Sequence, residues 1–104
     1  VTPAFDLAPV RWVIHAVGPV YAGPEDAATL ASAYLSSLAR ADEVGARSVA
    51  FPSISTGVYR YPADEASRIS VQALRGADTQ VEHVLLVAFS RGMEARWSEA
   101  LLET

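Results

Sequence analysis

Ser48-Val49-Ala50-Phe51-Pro52-Ser53-Ile54-Ser55-Thr56-Gly57-Val58-Tyr59-Arg60-Tyr61-Pro62 is the most legible part of the chain. Residues 47–52 form a short apolar run with β-branched and aromatic side chains, which predicts a strand. Residues 53–60 form a polar, glycine-containing loop. Pro62 suits the first turn of a helix running to about residue 75, with Ala66, Ile69, Ala73 and Leu74 as its apolar stripe. Gly76 is its natural stop.

The same alternation continues on both sides. Upstream, residues 11–17 read as a strand ended by Gly18-Pro19. A helix is expected from Glu25 to about Val44, with Ala27, Leu30, Ala31, Tyr34, Leu38 and Ala41 at helical spacing and Gly45 just past its end. Downstream, residues 81–89 give a third strand, almost continuously apolar from Val84 to Phe89. A last helix follows from about Met93 to Leu102. The first ten residues show no element. The order β-α-β-α-β-α implies an α/β fold, because helical crossovers join parallel strands. Strands apolar on both faces belong to sheets covered on both sides.

Composition limits the function. The 104 residues fit a single domain, and 51% hydrophobic content excludes intrinsic disorder. No apolar run approaches the ~20 residues that span a bilayer. Without cysteine there is no disulfide, thiolate nucleophile or Cys-type zinc site. The net charge of −4 disfavours nucleic acid as the main ligand. All eight basic residues are arginine, which removes the P-loop and Schiff-base lysines. His15 and His83 are too few and too far apart to make a metal site. No metal or cofactor is called for, and the lack of cysteine agrees with a cytoplasmic location.

In open α/β sheets, ligands bind beyond the carboxyl ends of the strands. Residues 18–24, 53–61 and 90–92 lie there. In the middle segment, small and hydroxyl residues surround Gly57 between a strand and a helix N-terminus. Such a loop can turn several backbone N–H groups toward an anion, near the positive end of the helix dipole. Ser, Thr and Gly are equally at home in an ordinary turn. Residue chemistry by itself leaves both readings open.

Three stretches carry a family resemblance: Val13-Ile14-His15-Ala16-Val17-Gly18-Pro19-Val20-Tyr21; Ala33-Tyr34-Leu35-Ser36-Ser37-Leu38; and residues 48–59 followed by Tyr61-Pro62. Together they resemble the macrodomain family, in the branch of O-acetyl-ADP-ribose deacetylases and mono-ADP-ribosyl hydrolases. The resemblance implies a three-layer α/β/α sandwich with a largely parallel sheet. It also implies binding of ADP-ribose or ADP-ribosylated protein and, in the complete domain, hydrolysis of ester-linked ADP-ribose derivatives. By the same likeness, Ser55, Thr56, Gly57, Val58 and Tyr59 match the loop that holds the diphosphate, with the aromatic near the distal ribose. Phe89 matches a residue bordering the adenine. Arg60 stands where the family usually has glycine and reads as a solvated side chain.

The family's early Asp, its Asn-rich turn and its glycine-rich loop with the Asp linked to catalysis have no counterpart in these residues. Residues 1–104 are therefore expected to be a single, incomplete macrodomain, its C-terminal portion, with N-terminal strands and a helix missing. No catalytic residue is assigned on this basis. A non-catalytic ADP-ribose reader or an inactive fragment is the alternative, and apolar faces left uncovered imply self-association or pairing with the missing segment. Of the remaining residues, His15 is expected to be buried and hydrogen-bonded, and His83 exposed. Glu94, Glu99 and Glu103 read as a solvated helix face, Asp64 and Glu65 as acids complementing a helix N-terminus, and Trp12 and Trp97 as core or interface residues.

Overall fold

A computed structural model describes residues 1–3, 10–23, 25–57 and 59–103. In chain order the elements are β1 (Thr2–Pro3), β2 (Trp12–Val13), α1 (Asp26–Glu43), β3 (Ser48–Phe51), α2 (Ala63–Arg75), β4 (His83–Leu86) and α3 (Arg91–Glu103). The helices follow their sequence signals closely. Asp26 opens α1, where its carboxylate accepts the N–H groups of Ala22 at 2.6 Å and Gly23 at 3.1 Å. Gly45, at φ 70°, takes the left-handed turn that ends the helix. Pro62 caps α2 and Gly76 terminates it.

The strands depart further from expectation. β3 and β4 pair in parallel, with Ser48 opposite His83 and Phe51 opposite Leu86. β2 does not join them among the described residues. It pairs antiparallel with β1, Thr2 opposite Val13 and Pro3 opposite Trp12. Two expectations are corrected here. The first ten residues do contain a strand, too short to leave a periodic signal. Among the described residues, strand pairing in the run at 11–17 is confined to Trp12 and Val13, because a strand needs a neighbour's backbone as well as apolar side chains.

Leu30, Tyr34 and Leu38 of α1 pack with Phe51, Tyr61 and Ala66 in one buried cluster. Val71 of α2 packs with Met93, Trp97 and Ala100 of α3 in a second. Leu86 of β4 touches both and joins them. The helices thus cover the face of the β3–β4 pair that carries Phe51 and Leu86. On the opposite face Ala50 and Leu85 remain exposed, Leu85 by 57%. The sequence of β4 is that of a strand covered on both sides, and the described residues cover one. Among them, no helix is long and apolar enough to cross a membrane.

Candidate functional site: the loop after β3

β3 and β4 run parallel, so the loop after β3 and the turn before α3 leave the sheet at the same end. The 53–60 loop is held from several sides. Ser53 Oγ donates to Met93 Sδ in the first turn of α3 at 3.3 Å. Thr56 Oγ1 lies 2.7 Å from Ser53 Oγ and 3.1 Å from Ser53 O, closing the turn on itself. The Tyr61 N–H donates to Ser55 O at 2.8 Å and that of Arg60 to Gly57 O at 3.0 Å. The segment after β2 leans on the same loop, since the Tyr21 N–H donates to Tyr59 O at 2.9 Å. The Tyr21 and Tyr61 rings meet edge to face at 4.9 Å.

Within this frame the N–H groups of Ser55, Thr56 and Gly57 donate no hydrogen bond among the described residues. Among the described residues, three consecutive donors are thus left unused in a loop that is otherwise well tied, a few residues ahead of the N-terminus of α2. Ser55 is also strained. Its φ is 67°, a conformation that costs a non-glycine residue roughly 1–2 kcal/mol. Its hydroxyl is buried without a hydrogen-bond partner, as is that of Tyr61. Strain and an orphaned polar group coincide at one residue, and such sites concentrate where a ligand is held.

Gly57 is exposed, and a Cβ built on it would meet no atom within 4 Å. Gly18 is the opposite case, since a Cβ there would collide with Ser55 Oγ and Ile54 Cγ2. Tyr59 is half-buried beside the segment after β2. Val58 lies outside the described residues. Phe89 is 87% exposed just beyond β4, at the sheet end shared with the loop. His15 is exposed, not buried as expected. His83 begins β4 and is exposed, as expected. Asp64 forms an ion pair with Arg96 of α3. Trp97 is buried, whereas Trp12 is 41% exposed.

The sequence model of the Macro domain matches residues 1–70. This chain belongs to the macro domain family. A macro domain-containing protein of Streptomyces coelicolor is 53% identical over 96 residues, covering 90% of this chain and 56% of the relative. An O-acetyl-ADP-ribose deacetylase of Klebsiella pneumoniae is 44% identical over 106 residues, covering 97% of this chain and 60% of that enzyme. Among solved structures, the Oceanobacillus iheyensis macrodomain with ADP superposes with a TM-score of 0.84 at 34% identity, over 91% of this chain and 52% of that one. The Trypanosoma brucei macrodomain in complex with ADP-ribose gives 0.76 at 31% identity, over 89% of this chain and 40% of that one. The chain thus spans about half the length of the relatives it matches.

Arg60 adds a physical reason to its departure from the family pattern. Its φ is 61°, a left-handed conformation that glycine adopts freely. Arg60→Gly removes that strain but adds chain entropy to the unfolded state. The net is an expected stabilisation of about 0.5–1 kcal/mol, measurable as a higher urea midpoint at unchanged slope.

Two buried phenols couple stability to pH. Burial raises the Tyr34 pKa above its ordinary value of 10.0, partly opposed by hydrogen bonds from Ile54 N–H and Ser70. Burial also raises that of Tyr61, assisted by Glu65 and Asp26. Their stabilisation is complete below the unfolded value of 10.0. Above it the unfolded chain loses these protons first, so stability falls until the folded values are passed. Urea unfolding at about pH 9 and about pH 11 is expected to show a lower midpoint at the higher pH. A flat profile contradicts the buried, neutral phenols.

Proposed function

We propose that the loop of Ser55, Thr56, Gly57, Val58 and Tyr59 holds the diphosphate of ADP-ribose through its backbone N–H groups, with the Tyr59 ring near the distal ribose and Phe89 on the adenine side. The reaction we assign to the whole protein is hydrolysis of ester-linked ADP-ribose derivatives, O-acetyl-ADP-ribose or a mono-ADP-ribosylated protein. The observation that carries the reading is the row of three unused amides at the carboxyl end of β3, where an α/β sheet receives its ligand. A diphosphate is an acceptor-only anion that needs several donors at once, and backbone amides near a helix N-terminus supply them without a cationic side chain. The relatives named for ADP-ribose chemistry support the choice of nucleotide. Anchoring the diphosphate fixes where the distal ribose lies, and such orientation supplies up to about 7–11 kcal/mol of a barrier.

The test is titration calorimetry with ADP-ribose and with AMP, alongside acetate release from O-acetyl-ADP-ribose. Saturable one-to-one heat with ADP-ribose, and much weaker binding of AMP, is the expected result. Absence of heat at millimolar ADP-ribose overturns the binding assignment. Binding without acetate release or release of ADP-ribose from modified protein makes the chain a reader.

A further inference from the structure

Tyr34 lies on α1, 18 residues before Pro52, and its side chain is almost completely buried. Its ring packs against Phe51 at 5.1 Å. Its hydroxyl does something packing does not require. It accepts the N–H of Ile54 at 3.1 Å and points its proton toward Pro52 O at 3.4 Å. The two bonds bracket Ser53, the first residue of the loop. Ser70 of α2 has its own partners: its hydroxyl donates to Ser67 O at 2.9 Å and accepts Trp97 Nε1–H from α3 at 3.0 Å. The phenol therefore ties α1 directly to the start of the loop.

We propose that Tyr34 is a positioning residue: its hydroxyl fixes the peptide at Ile54 and thereby holds Ser55 left-handed, with the amides of 55–57 presented to ligand. A strained residue persists only where its surroundings over-determine it. Ser55 follows Ile54 directly, so the Ile54 peptide sets the plane from which the strained turn begins. Without the phenol oxygen, the Ile54 N–H loses its acceptor in a partly buried setting and must turn to find another. That turn releases the strain at Ser55 and redirects the amides beyond it. The affinity consequence rests on the diphosphate reading given above; the loop consequence does not.

The test is Tyr34→Phe in the full chain, which keeps the ring and removes only the oxygen. Three quantities are read: amide hydrogen exchange, ADP-ribose affinity and melting temperature. Exchange at Ile54, Arg60 and Tyr61, whose N–H groups are held by Tyr34 Oη, Gly57 O and Ser55 O, is expected to accelerate at least tenfold more than at Val71 in α2. ADP-ribose affinity is expected to fall roughly tenfold. Uniform acceleration that follows the melting temperature means a merely structural residue and overturns the proposal. So does unchanged affinity in a protein that binds ADP-ribose. If the unmodified chain binds no ADP-ribose, the diphosphate reading fails and the exchange pattern alone decides Tyr34. Should Tyr34→Phe fail to fold, the unmodified chain decides: the Ile54 N–H, held by the phenol, is expected to exchange at least tenfold more slowly than those of Ser55, Thr56 and Gly57, and equal rates overturn the proposal.

Discussion

Gly57→Glu is expected to weaken ADP-ribose binding by about one to three powers of ten while leaving the fold intact. The two halves of that expectation come from one measurement of space. A side chain at Gly57 would meet no protein atom within 4 Å, and its backbone lies outside the left-handed region that demands glycine. The substitution therefore behaves as a surface change, within about 0.5 kcal/mol of the original stability. In melting temperature that is about 2–4 °C for a chain of this size. The ligand sees something different. A carboxylate about 4 Å from a phosphate oxygen costs about 1 kcal/mol in bulk water and about 4 kcal/mol at the effective dielectric of a protein surface. Affinity is thus expected to drop by about one to three powers of ten, before any steric loss. Gly57→Ala separates the contributions, because it adds bulk without charge and should weaken binding less. Calorimetry beside a thermal melt reads both. Wild-type affinity in Gly57→Glu would remove the loop from the binding site.

The unequal legibility of the fold has a physical origin. Helical periodicity is a local property, so α1, α2 and α3 emerge within a residue or two of their sequence signals. Pairing is not local. The run from Trp12 to Val17 has a strand's composition, but among the described residues strand pairing is confined to Trp12 and Val13, opposite a two-residue strand containing Pro3. No pattern in residues 1–10 announces it. At the candidate site, Ser, Thr and Gly between strand and helix suit an anion and an ordinary turn alike, and the choice between them comes from the family resemblance. What holds the loop is not legible in the sequence. Tyr34 reads as one more apolar position of an amphipathic helix, and its role comes from the oxygen at the tip of an otherwise buried ring. The left-handed turn at Ser55 is equally silent, because serine has no preference for it. Arg60 is the informative exception. A missing glycine in a familiar pattern marks a backbone conformation that the chain adopts anyway, at some cost.

Gly18 provides the complementary experiment, with the opposite split between stability and binding. It lies in the turn that follows the β2 run, against the loop after β3. Its backbone needs no glycine, yet a Cβ there would overlap Ser55 Oγ and Ile54 Cγ2. Space, not conformation, requires glycine at this position. Gly18→Val must push the two segments apart, and forcing extra atoms into a packed contact costs about 1–3 kcal/mol. A β-branched residue beside the half-buried Ile54 belongs at the upper end of that range. Because the displaced atoms belong to Ile54 and Ser55, ADP-ribose affinity is expected to fall at least about tenfold as well, the equivalent of 1.4 kcal/mol. A second substitution tests the cause. Ser55→Gly removes one of the two colliding groups and relaxes the φ of 67° at the same position. In the background of Gly18→Ala, it should restore a large part of the lost stability. It should not restore binding to the same degree, since a glycine at 55 loosens the amides that the strained serine holds. If Gly18→Val melts and binds like the unmodified chain, the two segments do not meet, and the frame that presents the loop must be built some other way.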